Sequence, residues 1–342
     1  MSMTKEQEER LIEEANKREL AWTKKRIDYN NSWPTQGEWN SDNQQVLDDW
    51  LKNQGVSQLF ETVKLTDEAQ EILFRQPKLN KLLSGVVDIY DELPYRPDQG
   101  FDIAWRSLEI FMNHQRNIAW KNDSDKTPHL IKRTINDMVM PLIDVEAGVK
   151  DMWEDFLADI PLSTLRYAIM RSYIEHDLAI NEQLERVSER AEKTLTKALY
   201  DDIKKKYVFE ENVKPTADVL RRSSLLLQKI LRGEEVDVNG HRYQMAFENR
   251  MEYVLSCVLY ANRCERFHGD YFSPFKSDRA TLDTYAFSYY LLEFAYIYLW
   301  TLIYRHCDTQ GIGEICKLES VQATAKMMQE KLKAIIAEGK KK

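Results

Sequence analysis

Twenty residues near the C-terminal end, "YAFSYYLLEFAYIYLWTLIY" (285–304), restrict the fold more than any other stretch. They contain neither Pro nor Gly and suffice for about five helical turns. A helix that is apolar on every side must be enclosed, by other elements or by lipid. Glu293 stands at its centre, where a charged carboxylate would cost about 2.5–3.5 kcal/mol in a bilayer. The tyrosines are spread along the segment instead of gathering at its ends, as interfacial aromatics do. A fully buried or dimer-facing helix is therefore expected, not a membrane span.

Only 11 Gly and 9 Pro are distributed over 342 residues, whereas Leu, Glu, Lys, Ala and Arg are frequent. That balance favours helix nearly everywhere and implies an all-α protein. A hydrophobic share of 43%, a charged share of 30% and a mean hydropathy of -0.57 belong to a soluble globular chain long enough for a sizeable core. The N-terminal 25 residues are charged throughout and lack the apolar segment of a signal peptide, so a cytoplasmic location is expected. Cys257, Cys264, Cys307 and Cys316 show no CxxC spacing and no histidines at ligand distance, which reads as free thiols and no metal site.

Helical patterns run over 4–29, from 46, and over 67–90. "DELPYRPDQG" (91–100), with two prolines and a glycine, marks a boundary. The chain thus divides into three parts: a helical N-terminal region over 1–92, open to a regulatory role, a helical domain over 93–312, and a C-terminal amphipathic helix over 313–342. Within the domain, helices are expected at 101–117, 130–158, 162–183, 184–206, 215–232, 244–267 and 281–306. "VDVNGHRY" alternates around Asn239-Gly240 and predicts one small β-hairpin.

The chemistry-bearing stretch is "VLYANRCERFHGDYFSP" (258–274). Met251, Val254, Leu255, Val258 and Leu259 recur at helical spacing, and Asn262 and Arg263 fall on the next turn. On a regular helix Arg263 and His268 point about 140° apart. Gly269 after the histidine is a helix stop, so the chain is able to unwind there and let the imidazole approach the guanidinium. The other Arg-x4-His pair, Arg171 and His176, has no such breaker and reads as two separate surface or packing residues. Arg presents a planar fork of donors to phosphate oxygens, and His moves protons near neutrality. Together they suit phosphodiester chemistry without a metal ligand set. The alternative is structural: a helix cap in which His268 bonds terminal carbonyls and Arg263 pairs with Glu265 or Asp270. A net charge of -8 confines any nucleic-acid contact to a local patch.

"YANRCERFHG" resembles the signature of the HEPN superfamily (higher eukaryotes and prokaryotes nucleotide-binding), whose ribonucleases carry Arg, four to six residues, then His at a helix end. "FDIAWRSLEIFMNHQ" is similar to the tryptophan-containing first helix of such proteins, and 281–306 fits the helix after the motif. The resemblance spans roughly 95–310, though about ten residues carry its specificity. It implies an all-α bundle and a metal-independent endoribonuclease with no cofactor. In that scheme Arg263 and His268 are catalytic and Asn262, Cys264, Arg266 and Gly269 are supporting. Many members carry Asn, Asp or His directly after the Arg; Cys264 stands there in this chain. The family's ribonucleases commonly dimerise so that two motifs share one site, and members often act as toxins or antiviral effectors, some with a protein antitoxin. RNA as substrate, a homodimer, and an antitoxin or regulatory partner are the corresponding expectations. The rival is a non-catalytic HEPN-like module that docks a partner protein or a nucleotide.

Overall fold

The structure, a computed structural model, describes residues 42–121, 124, 126–174, 186–210, 213–268, 273–276 and 280–339, with a few positions between 9 and 24. The helix expected over 4–29 lies outside the described residues, those few positions apart, as do residues 30–41. Helices run in the order α1 (Asp42–Gln54), α2 (Ala69–Arg75), α3 (Pro77–Asp91), α4 (Pro97–Ile118), α5 (Thr127–Thr134), α6 (Met140–Val145), α7 (Val149–Ala158), α8 (Leu162–Tyr173), α9 (Val187–Leu195), α10 (Lys197–Tyr207) and α11 (Ala217–Leu231). A hairpin of β1 (Val236–Val238) and β2 (His241–Tyr243) precedes α12 (Phe247–Tyr253), α13 (Tyr260–His268), α14 (Leu282–Gln310) and α15 (Leu318–Gly339). The fold is all-α with one antiparallel hairpin among the described residues, in register Val236 with Tyr243 and Val238 with His241.

The apolar segment forms α14, the axis of the fold, packed chiefly against α4 and α15. It is long and apolar enough to cross a membrane, and 94% of its most apolar stretch is buried inside the protein. Thr281 and Thr284 close its N-terminus as a reciprocal capping box, and Gly311, in the left-handed region at φ 61°, ends it. Four of its tyrosines reach four different neighbours, which accounts for their scatter, while the buried Tyr285 hydroxyl has no hydrogen-bond partner. Tyr289 donates to the Pro94 carbonyl at 2.8 Å, Tyr290 to that of Phe156 at 3.3 Å, Tyr298 pairs with Thr134 at 2.8 Å, and Tyr296 accepts from the Val63 amide at 3.0 Å. Each bond meets the requirement that a buried hydroxyl be paired. Glu293 is the acidic group of this helix left unpaired: it is fully buried, with no hydrogen-bond partner for either carboxylate oxygen. Burial drives its pKa well above the usual carboxylate range, opposed by the charge of Lys331.

The boundary expected at 92/93 falls between α3 and α4, and these two helices pack against each other. Residues from Leu47 to Ile335 contribute to one hydrophobic core, α1 to α3 and α15 included. Several expected helices are divided for local reasons. Pro77 pushes Gln76 out of the helical region (ψ 75°) and separates α2 from α3. Gly148 at φ 77° starts α7 after the end of α6, and Thr196 at φ 70° separates α9 from α10. Residues 175–185, with His176, lie outside the described residues.

Candidate functional site

The motif helix is one rod of three parts: α12, a π-helical turn (Val254–Leu259), then α13. A π turn accommodates an extra residue and shifts the phase of the helix beyond it. All six side chains of that turn are buried, including Ser256 and Cys257, where regular spacing leaves a one-sided stripe. In α13 the exposure alternates sharply. Asn262 is 2% exposed and Glu265 is buried, whereas Phe267 is 48% exposed.

Three charged positions of α13 bind three different anchors. Arg263 Nη2 donates to Glu109 Oε2 of α4 at 2.9 Å. Glu265 takes Arg171 of α8, at 2.7 Å from Nε and 2.9 Å from Nη2, and accepts the Tyr167 hydroxyl at 2.7 Å. Arg266 grips Asp102 with two bonds, 2.8 and 2.6 Å, and Asp98 with a third at 3.1 Å. Arg96 also holds Asp98, at 3.0 and 3.1 Å, and reaches Ser273 Oγ at 3.3 Å. Asp98, Asp102 and Glu109 thus face Arg96, Arg263 and Arg266, so this patch is locally balanced in charge.

Arg263 and Arg266 differ in kind. Arg266 is 9% exposed and chelated by two carboxylates; burial works against its charge, and the Asp102 and Asp98 contacts more than compensate. Burial likewise acts to raise the Asp98 carboxyl, but the bonds and charges of Arg96 and Arg266 hold it below its ordinary value. Arg263 is 22% exposed, bonds one carboxylate, and lies 4.4 Å from the centroid of the Phe267 ring. Its Nε is without a hydrogen-bond partner. Glu109 is itself oriented by Trp105, whose Nε1 donates to the other carboxylate oxygen at 3.1 Å. The Trp105 ring stacks on Tyr260, over which Arg190 lies at 5.2 Å.

Among the expected site residues, Arg263 is on the accessible side of α13, and its acid is Glu109, not the Glu265 named for a cap. His268 is the last residue of α13; its side chain, Gly269 and Asp270 lie outside the described residues. Asn262 is buried with no partner for its Nδ2. Burial pushes the Cys264 thiol up, against the Tyr260 contact and the charges of Arg263 and Arg190, which keeps it from acting as a ready thiolate. Arg266 is a structural anchor. Arg171, for which the sequence left a surface or a packing role open, ties α8 to the motif helix.

Sequence reasoning missed Glu109, Trp105, Asp102 and Asp98, although a signal existed. Positions 98, 102, 105 and 109 keep the 4, 3, 4 rhythm of one helical face, an acidic stripe awaiting a basic partner. Comparison with protein-family models, with curated proteins and with solved structures yields no match for this chain.

Proposed function

We propose that the chain is a HEPN-type, metal-independent endoribonuclease that works as a homodimer. The observation carrying this reading is the contrast between the two arginines of α13. Arg266 is consumed by two carboxylates, while Arg263 keeps an accessible face and a single, oriented acid. A guanidinium placed so can exchange part of its contact with Glu109 for the oxygens of a phosphodiester, and Trp105 and Glu109 fix its direction.

In the proposed reaction the ribose 2′-OH attacks the adjacent phosphorus, with His268 taking its proton or delivering one to the departing 5′ oxygen. The 2′-O–P bond forms as the P–O5′ bond breaks, leaving a 2′,3′-cyclic phosphate and a 5′-OH. Arg263 stabilises the charge that builds on the non-bridging oxygens. Because five positions on a helix set Arg263 and His268 about 140° apart, one chain does not converge them while α13 stays regular to its last residue. Pairing two copies supplies the arginine of one and the histidine of the other, and a second cationic side chain that one copy's balanced patch lacks. The Arg263–Glu109 ion pair favours a second reading, a module that uses the motif as a cap and docks a partner protein or a nucleotide.

The test sets wild type beside Arg263→Ala and His268→Ala on labelled tRNA and mRNA. Cleavage by wild type alone, with both variants folded, supports the nuclease. Cleavage that persists at the wild-type rate in His268→Ala removes that residue from the site.

A further inference from the structure

We propose that Phe267 is a stacking platform for one unpaired base of the RNA; this rests on the ribonuclease reading. Three observations carry it. Phe267 lies between Arg263 and His268 in sequence and is 48% exposed at the end of a helix whose other aromatic, Tyr260, is buried. One face of its ring is covered by the Arg263 guanidinium at 4.4 Å, so its exposure falls on the opposite face and edge. Arg263 thereby both fixes the ring and sets it beside the position a phosphate would take.

The third observation is electrostatic. Asp98, Asp102 and Glu109 neutralise the arginines of this patch, and the whole chain carries a net charge of -8. A strand docking here releases few counterions, so phosphate contacts supply little affinity. Base–aromatic stacking is indifferent to that balance and needs a base with a free face. Duplex RNA offers none, since its bases are stacked on one another and its deep major groove is closed to side chains. The arrangement thus selects an unpaired base and makes binding weakly dependent on salt.

The experiment uses the full chain and a 2′-O-methyl oligonucleotide containing 2-aminopurine, which lacks the attacking hydroxyl, as single strand and as duplex. Wild type is expected to quench the single strand and to leave the duplex unbound. Phe267→Leu should weaken single-strand binding by roughly tenfold and Phe267→Trp restore it. The dissociation constant should change only a few-fold between about 50 and 200 mM salt. Equal binding by Phe267→Leu, equal binding of the duplex, or a shift confined to the dimer dissociation constant would overturn the proposal. The shift confined to dimerisation would make the ring a contact between copies. Parallel assays on cleavable RNA separate the two claims. A wild type that binds and quenches without cutting defeats the nuclease and leaves the platform standing. A wild type that cuts, matched by Phe267→Leu in KM, does the reverse.

Discussion

Arg263 and Arg266, three positions apart on one helix, are expected to respond oppositely to truncation. Arg266→Ala leaves the buried Asp98 and its neighbour Asp102 without their shared counter-ion and should cost about 3–5 kcal/mol in urea unfolding. Arg263→Ala, which removes a single carboxylate contact instead of three bonds to two carboxylates, should cost less, about 1–2 kcal/mol, and abolish RNA cleavage. A variant pair with the reverse pattern would show that the assignment of roles is inverted. His306 of α14 is buried, and burial together with the charge of His114 lowers its pKa to about 4. Gln115 Nε2 donates to its Nδ1 at 2.8 Å, a bond that requires the unprotonated nitrogen. The folded pKa lies below the unfolded value, so the neutral ring's stability is complete above about pH 6.5 and declines as pH falls towards 4. His306→Gln is expected to flatten urea-unfolding stability over that interval. Glu293 has the opposite sign. Its raised pKa means that stability falls as pH rises above the ordinary carboxylate value, and Glu293→Gln should stabilise the fold at pH 7 by on the order of 1–3 kcal/mol. An unchanged or lowered melting temperature would contradict this.

The helices most legible in the sequence were those with strong punctuation. Thr281 and Gly311 bracket α14 and Asn239-Gly240 fixes the hairpin, whereas α4 begins at Pro97, inside the stretch 91–100 read as a break, because proline is favoured at the first helical position. Gly240 sits at φ 85° with open space where a Cβ would project, so Gly240→Ala should cost about 1 kcal/mol from backbone conformation alone. A chemical-denaturation midpoint equal to wild type would argue against that turn. What the sequence did not disclose was of another kind. The π turn at Val254–Leu259 has no local spelling, since it arises from packing on all sides and no residue demands it. The partners of Arg263, Glu265 and Arg266 come from α4 and α8, distant in sequence, and helical periodicity shows a charged face without naming its complement. The motif arginine was legible; the acid that holds it became visible only when α4 and α13 were placed side by side.

At the scale of the whole molecule, the fold spends its apolar capacity on enclosing α14 and uses charge to lock the motif helix. Three ion-pair anchors set α13 against α4 and α8, so the end that carries Phe267 and His268 is presented from a rigid base. In the proposed enzyme the moving parts are few: a phosphate exchanges with Glu109, and a second copy completes the proton-transfer group. The most direct measurement is incubation of the purified chain with labelled RNA in EDTA, with the new 3′ ends then identified. Cleavage that leaves 2′,3′-cyclic phosphate is expected, unchanged by chelation and lost when the 2′-OH at the cut is replaced by hydrogen. Products ending in 3′-OH, or cleavage abolished by EDTA and restored by a divalent cation, would contradict it.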